Sequence, residues 1–305
     1  MFPSCAPPRC AAAADPMPEL PEVETVCRGL DKTMTGKTLA RLELRRKGLR
    51  FPFPKGLAAR VQNRRITGVR RRAKYILIDL AGDTPDNPEN NDVLIAHLGM
   101  TGRMVMAAAD EKYTAEKHDH VIFHFTDGSR MVFNDARRFG VLDIAAAADV
   151  AQTRHFAHLG PEPLDDSFSA AYLNEALANK KTAIKIAIMD QETVVGVGNI
   201  YAAEALFDAR IDPARPANSL TKGEVKKLWA AIRAVLQRAI AAGGSSIRDY
   251  VQTDGELGYF QHQWAVYGKE GEKCRGCTCP LQKTGGIKRI TQGGRSTFYC
   301  PARQK

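Results

Sequence analysis

The chain is 305 residues long, 44% hydrophobic and 26% charged, which is ordinary for a folded protein with room for two domains and a small further module. Its 44 Lys and Arg against 34 Asp and Glu give a net charge of +10, pointing to a polyanionic partner, with nucleic acid the best fit. Apolar runs fall far short of the roughly 18 residues that cross a bilayer. Residues 1–16 also lack the apolar stretch of a secretory signal, so no membrane association and a cytoplasmic location are expected.

Residues 1–16 are small and Pro/Ala-rich without periodicity, and disorder is expected there. The string Met17-Pro18-Glu19-Leu20-Pro21-Glu22-Val23-Glu24-Thr25-Val26 follows and looks like a displaced beginning. Inside a chain, proline nitrogen is an amide with no nucleophilic lone pair. At a free N-terminus Pro18 is a secondary amine, titrating at about pH 8 as α-amines do, and its attack on a sugar carbon gives an iminium ion directly. Glu19 beside it is a candidate acid or base. The same residues also suit a helix start, with Pro21 and acidic groups in the first turn and Val23, Val26 and Leu30 on one face. The two readings are compatible.

Residues 38–145 read as strands, among them 75–80, 93–98 and the pair 121–125 and 130–133, joined through Asp127-Gly128 as a hairpin. Leu159-Gly160-Pro161-Glu162-Pro163 marks a linker. Residues 167–242 then carry helical spacing: Ser167 is the expected cap of a first helix, and a long helix over Thr221–Ala241 ends at Gly243-Gly244. Between them, Val194 to Tyr201 forms a glycine-rich turn whose free amides suit a phosphate, although a plain helix connection explains it equally well. Basic clusters at 45–47, 70–72, 180–181 and 288–289 together suggest a charged groove. Cys274, Cys277, Cys279 and Cys300 crowd the C-terminus with the spacing of a metal site, apart from Cys5, Cys10 and Cys27.

Several ordered strings make the chain resemble the formamidopyrimidine-DNA glycosylase family: PELPEVET at 18–25, RRAKY at 71–75, HLGMTG at 97–102, KHDH at 117–120, RRFG at 137–140, HLGPEPL at 158–164, KTAIK at 181–185, VVGVGNIYAAEALF at 194–207 and GRSTFYC at 294–300. The resemblance implies an α+β multidomain fold: a catalytic β-sandwich at 17–150, a helix-two-turn-helix DNA-binding domain at 151–262 and a zinc-finger hairpin at 263–305. It implies a bifunctional repair enzyme, a DNA glycosylase and abasic-site lyase that removes oxidised purines, acting as a monomer on damaged double-stranded DNA and holding one zinc ion. By the same resemblance Pro18 is the nucleophile that forms the Schiff base, Glu19 the acid, Lys74 the β-elimination and phosphate-contacting lysine, and Arg295 the δ-elimination arginine of the finger. Met100, Arg137 and Phe139 match the residues that fill the gap left by a flipped base. His118, Lys180, Lys185 and Asn199 match DNA contacts, and residues 252–259 match a loop over the flipped base. Glu22 and Glu204 suit either a supporting role at the site or structural capping.

The sequence departs from the family pattern at two places. The fourth zinc-ligand position holds Arg303, and a guanidinium does not ligate zinc. Cys279 completing a set with Cys274, Cys277 and Cys300, a three-thiolate site that binds zinc weakly, and a metal-free hairpin all remain open. The leader is the second departure: the chemistry requires a chain beginning at Pro18, so initiation at Met17 with removal of that methionine is expected. Rival readings are an endonuclease VIII-type enzyme for oxidised pyrimidines and a non-catalytic DNA-binding relative.

Overall fold

The computed structural model describes residues 17–82, 91–245, 259–276 and 280–305. The leader, residues 252–258 of the expected loop, Cys277 and Cys279 lie outside the described residues.

Helix α1 (Leu20–Met34) begins with a proline in its first turn, and its buried face repeats every three or four residues through Leu20, Val23, Val26, Leu30 and Met34. That face serves two cores. Leu20 packs with the C-terminal helices, whereas Val23 to Met34 enter the sandwich core.

The sandwich comprises β1 (Leu39–Leu44), β2 (Ile66–Arg72), β3 (Tyr75–Leu80), β4 (Asp92–His97), β5 (Gly102–Ala107), β6 (Asp119–Phe125), β7 (Arg130–Asp135) and β8 (Val141–Ala146), with short helix α2 (Leu57–Val61) between β1 and β2. They form two four-stranded antiparallel sheets, in the orders β1-β6-β7-β5 and β2-β3-β4-β8. Strand β3 is nearly continuously apolar because both faces are covered. Ile76, Ile78 and Leu80 enter the sandwich core, and Leu77 joins Val93, Ile95, Val150 and Phe156 in a second cluster. The hairpin expected through Asp127-Gly128 is β6–β7, where the Asp127 carboxylate accepts the Ser129 amide and Gly128 takes φ +86°.

Helices α3 (Ala170–Leu177), α4 (Ile184–Met189), α5 (Asn199–Ala209) and α6 (Lys222–Ala241) build the second core. The cap of α3 is Ser169, not Ser167, its hydroxyl accepting the Tyr172 amide at 3.1 Å. Phe168 explains the shift: it is buried and its carbonyl accepts the Trp229 indole N–H, so the helix starts two residues later than expected. Thr221 and Glu224 form a reciprocal capping box at the start of α6. Strands β9 (Lys288–Gln292) and β10 (Arg295–Tyr299) pair through Gly293-Gly294, both at positive φ, as a two-residue turn matched to strand twist requires. Phe298, Cys300, Cys274, Ile287 and Val266 pack beneath this hairpin on Ala203 and Phe207 of α5.

Candidate active site

The N-terminus of α1 is seated on the N-terminus of α5. Leu20 donates its amide to the Gly196 carbonyl, and the Glu19 carboxylate accepts backbone N–H groups from Gly198 at 2.8 Å, Ile200 at 2.9 Å and Tyr201 at 3.3 Å. Orphan amides and the positive end of a helix suit a carboxylate. The glycine-rich turn, expected to offer its amides to a phosphate, gives them to Glu19 instead. A Cβ at Gly198 would lie 2.3 Å from the Glu19 carboxyl carbon, so only glycine permits the approach. Burial raises the Glu19 pKa, opposed by the Lys74 charge and the three amides.

Glu22 lies one turn deeper. Its carboxylate accepts the Glu19 amide at 3.0 Å, the Ser245 amide at 2.8 Å and the Tyr201 hydroxyl. Burial and the like charge of Glu19 raise it to about 7. Glu204 resolves toward capping, accepting the amides of Ala265, Val266 and Tyr267 and so tying α5 to the segment before the hairpin.

Lys74 stands at the tip of the β2–β3 turn, next to Ala73, whose φ of +54° is unusual for a residue with a side chain. Glu162 of the linker holds that tip. It pairs with Arg71 at 2.6 Å and Arg72 at 2.8 Å and accepts the Ala73 amide at 2.6 Å. Arg70 pairs with Asp79, and Arg45 and Arg46 bond to the Asp119 carbonyl and to His120. The 70–72 cluster is therefore crosslinked to carboxylates, with Arg71 largely buried, whereas Arg45, Arg46 and Lys47 stay exposed. Burial lowers the Lys74 pKa; Glu19 opposes this and Arg295 adds to it.

Lys74 and Arg295 share a cleft of about 420 Å³ with Met17, Tyr75, His97, His155 and Gly198. The buried Pro18 lies between Met17 at its lining and Glu19. His97 accepts the Gly99 amide on Nδ1, and burial with the Lys74 charge lowers it to about 3, leaving a neutral imidazole. His155 meets Asp143 at 2.8 Å. His97 opens the HLGMTG string, and the register pairing it with Tyr75 places it beside the RRAKY lysine; His155, whose ring lies 5.6 Å from that of Tyr75, does not stand out in the sequence.

Lys185 does not lie on a solvated helix face. It is fully buried, and its ammonium donates to Asn199 Oδ1, to Thr297 Oγ1 at 2.7 Å and to the Ser296 carbonyl at 3.3 Å. Asn199 also donates to Ser296 O at 3.0 Å. Both residues therefore brace the strand that carries Arg295. Lys180 is partly exposed and paired with Asp190 at 2.7 Å, and His118 is half-buried at the edge of the sandwich, with its ring edge-on to His120.

Met100, Arg137 and Phe139 occupy two touching loops. A Cβ on Gly99 would lie 2.6 Å from the Phe139 carbonyl carbon, so the loops meet backbone to backbone. Phe139 is 43% exposed, with the Arg137 guanidinium 4.8 Å from its ring centre, so it is not a core residue. Buried Asp135, inconspicuous in the sequence, ties both loops by accepting the Thr101 hydroxyl at 2.6 Å and the Gly140 amide at 2.8 Å.

Of the four candidate zinc-binding cysteines, Cys274 and Cys300 are among the described residues. Among the described residues no three His, Cys, Asp or Glu side chains are grouped to hold a metal, and Arg303 sits where the family pattern calls for a ligand. Its Nη1 donates to the Gly276 carbonyl at 2.8 Å, beside buried Cys274 and Cys300 in the same cluster.

A sandwich joined to a helical domain, with Lys74 and Arg295 among the cationic groups lining the cleft between them and a buried acid beside it, fits a DNA glycosylase architecture. Residues 17–142 match the formamidopyrimidine-DNA glycosylase N-terminal domain, and residues 159–251 match the formamidopyrimidine-DNA glycosylase H2TH domain. Similar proteins include formamidopyrimidine-DNA glycosylases of Ruegeria pomeroyi, 48% identical across 95% of this chain and 100% of that one, and of Rhodospirillum centenum, 49% identical with the same coverage. The fold also matches the MutM (Fpg) protein of Thermus thermophilus, with a TM-score of 0.80 and 38% identity over 94% of this chain and 98% of that one. A wild-type Lactococcus lactis Fpg solved with DNA containing N7-benzyl-Fapy-dG gives 0.82 and 34%, covering 94% and 100%. The chain belongs to the formamidopyrimidine-DNA glycosylase family, and it is a DNA glycosylase of base-excision repair.

Proposed function

We propose that the protein flips 8-oxoguanine or a formamidopyrimidine out of duplex DNA, excises it through a Schiff base at Pro18, and cleaves the strand by β,δ-elimination. The observation that carries this reading is Glu19, buried on the α5 N-terminus next to Pro18 and beside the cleft shared by Lys74 and Arg295. With Pro18 as the first residue, its lone pair attacks C1′, the bond to the base breaks, and the base leaves with a proton. Glu19, its pKa raised by burial, protonates the opening sugar oxygen, giving the iminium ion. Lys74, with its pKa lowered, has an enlarged neutral fraction to take the C2′ proton, and the 3′ phosphate leaves. Arg295 serves the following δ-elimination. Met100, Phe139 and Arg137 fill the vacated stack and face the unpaired cytosine, while His118 and Lys180 contact the backbone. One site per lesion suits a monomer acting on chromosomal DNA in the cytoplasm.

Borohydride trapping on abasic duplex tests the reading. A covalent adduct is expected from protein beginning at Pro18 and a strongly reduced one from Pro18→Gly; an active protein that retains residues 1–16 overturns the nucleophile. Faster cleavage of thymine-glycol than of 8-oxoguanine:C duplex would favour the endonuclease VIII-type reading.

A further inference from the structure

The C-terminal hairpin carries an arginine at the point where the family pattern calls for a metal ligand, and that arginine joins three segments. Its Nη1 donates to the Gly276 carbonyl at 2.8 Å, its guanidinium lies 4.8 Å from the ring centre of Phe207 on α5, and its own amide closes a turn onto the Cys300 carbonyl. Gly276 sits at φ +78°, and a Cβ there would lie 2.9 Å from Nη1. The next residue continues the join: buried Gln304 accepts the Cys300 amide at 2.8 Å and donates to the Ile211 carbonyl at 2.9 Å. Lys305 then exchanges backbone hydrogen bonds with Arg210 and Asp212. A structural zinc ion ties a knuckle to the end of a hairpin in the same way.

We propose that Arg303 is the clasp of this hairpin in place of a fourth metal ligand, and a positioning residue for Arg295 that makes the hairpin's hold on DNA independent of zinc. The guanidinium supplies a planar face for the Phe207 ring and a charged donor for a knuckle carbonyl, neither of which needs a metal. Its Nε–H has no acceptor among the described residues, so the clasp is one hydrogen bond and one ring contact. Removing it leaves a carbonyl and an aromatic ring without their partner.

The proposal rests on the hairpin contacting DNA, so Arg295→Ala is measured alongside; if that variant keeps full affinity for a duplex bearing a tetrahydrofuran abasic analogue, it is the DNA-contact reading that fails. Wild-type protein treated with a zinc chelator is expected to keep its affinity for this duplex. Arg303→Ala is expected to lose about tenfold, the equivalent of one charge-assisted hydrogen bond. Faster amide exchange in β9 and β10 of Arg303→Ala reads the clasp without DNA. Arg303→Cys supplies a thiolate, and with added zinc it should recover affinity and become chelator-sensitive. A wild-type protein that carries one zinc per chain and loses affinity on chelation overturns the proposal, as does an Arg303→Ala variant with unchanged exchange and affinity.

Discussion

The Glu19 carboxylate and the Gly198 amide meet at 2.8 Å although 179 residues separate them in the chain. This contact joins the acid of the first helix to the N-terminus of α5, so the sandwich and the helical domain share one site. Gly198→Ala would place a methyl group within 2.3 Å of the Glu19 carboxyl carbon. Displacement of a catalytic group by about 1 Å can cost on the order of 100-fold in rate. Base-excision kcat should fall at least about tenfold, with KM for the duplex little changed. A Gly198→Ala variant excising at the wild-type rate would show that the carboxylate position is not set by this contact.

Glu22 should make stability depend on pH. Its folded pKa of about 7 lies above the ordinary 4.5, so the folded protein binds this proton more tightly than the unfolded chain does. Stability from this group is full below about pH 4.5 and is lost as pH rises to about 7. Urea midpoints measured from pH 5 to 8 should decline more steeply for wild type than for Glu22→Gln, which cannot titrate. Parallel curves for the two proteins would refute the assignment.

Much of this fold is legible from local pattern. The β6–β7 hairpin and the long helix α6 announce themselves because turn chemistry and capping act over four residues or fewer. The family strings likewise bring Glu19, Lys74 and Arg295 to notice. What stays hidden is long-range. Glu162 reads as a linker residue until the fold places it against Arg71 and Arg72, and Asp135 reads as a strand end until two loops converge on it. The partners of the arginine cluster at 70–72 stay hidden for the same reason: sequence gives its charge, but not the carboxylates of Asp79, Glu24 and Glu162 folded against it.

Glu162 therefore offers a test of how the Lys74 turn is held. Glu162→Ala leaves the largely buried Arg71 without one of its two carboxylate partners and frees the Ala73 amide. Breaking a buried pair costs about 3–5 kcal/mol, and the partial exposure of Arg72 and the remaining Glu24 partner put the expected loss at the low end, about 3 kcal/mol. Strand cleavage at a preformed abasic site should slow along with it. Glu162→Gln, which keeps the acceptor for the Ala73 amide, should recover more of the cleavage rate than of the stability. Unchanged thermal unfolding in Glu162→Ala would remove the linker from this role.

The role proposed for Phe139 is testable apart from the later chemistry. It is 43% exposed, so Phe139→Ala should shift folding stability by no more than about 0.5 kcal/mol. Extruding a base requires unstacking at a cost of a few kcal/mol, which an apolar wedge offsets by filling the gap. Excision of 8-oxoguanine from duplex DNA should therefore fall about tenfold or more, whereas cleavage of a duplex already carrying an abasic site should fall much less, because no base remains to be extruded. Arg137→Ala should add to the loss on duplexes with cytosine opposite the lesion, where its guanidinium has an unpaired base to bond. Equal losses on both substrates in Phe139→Ala would mean that the side chain serves binding in general rather than extrusion.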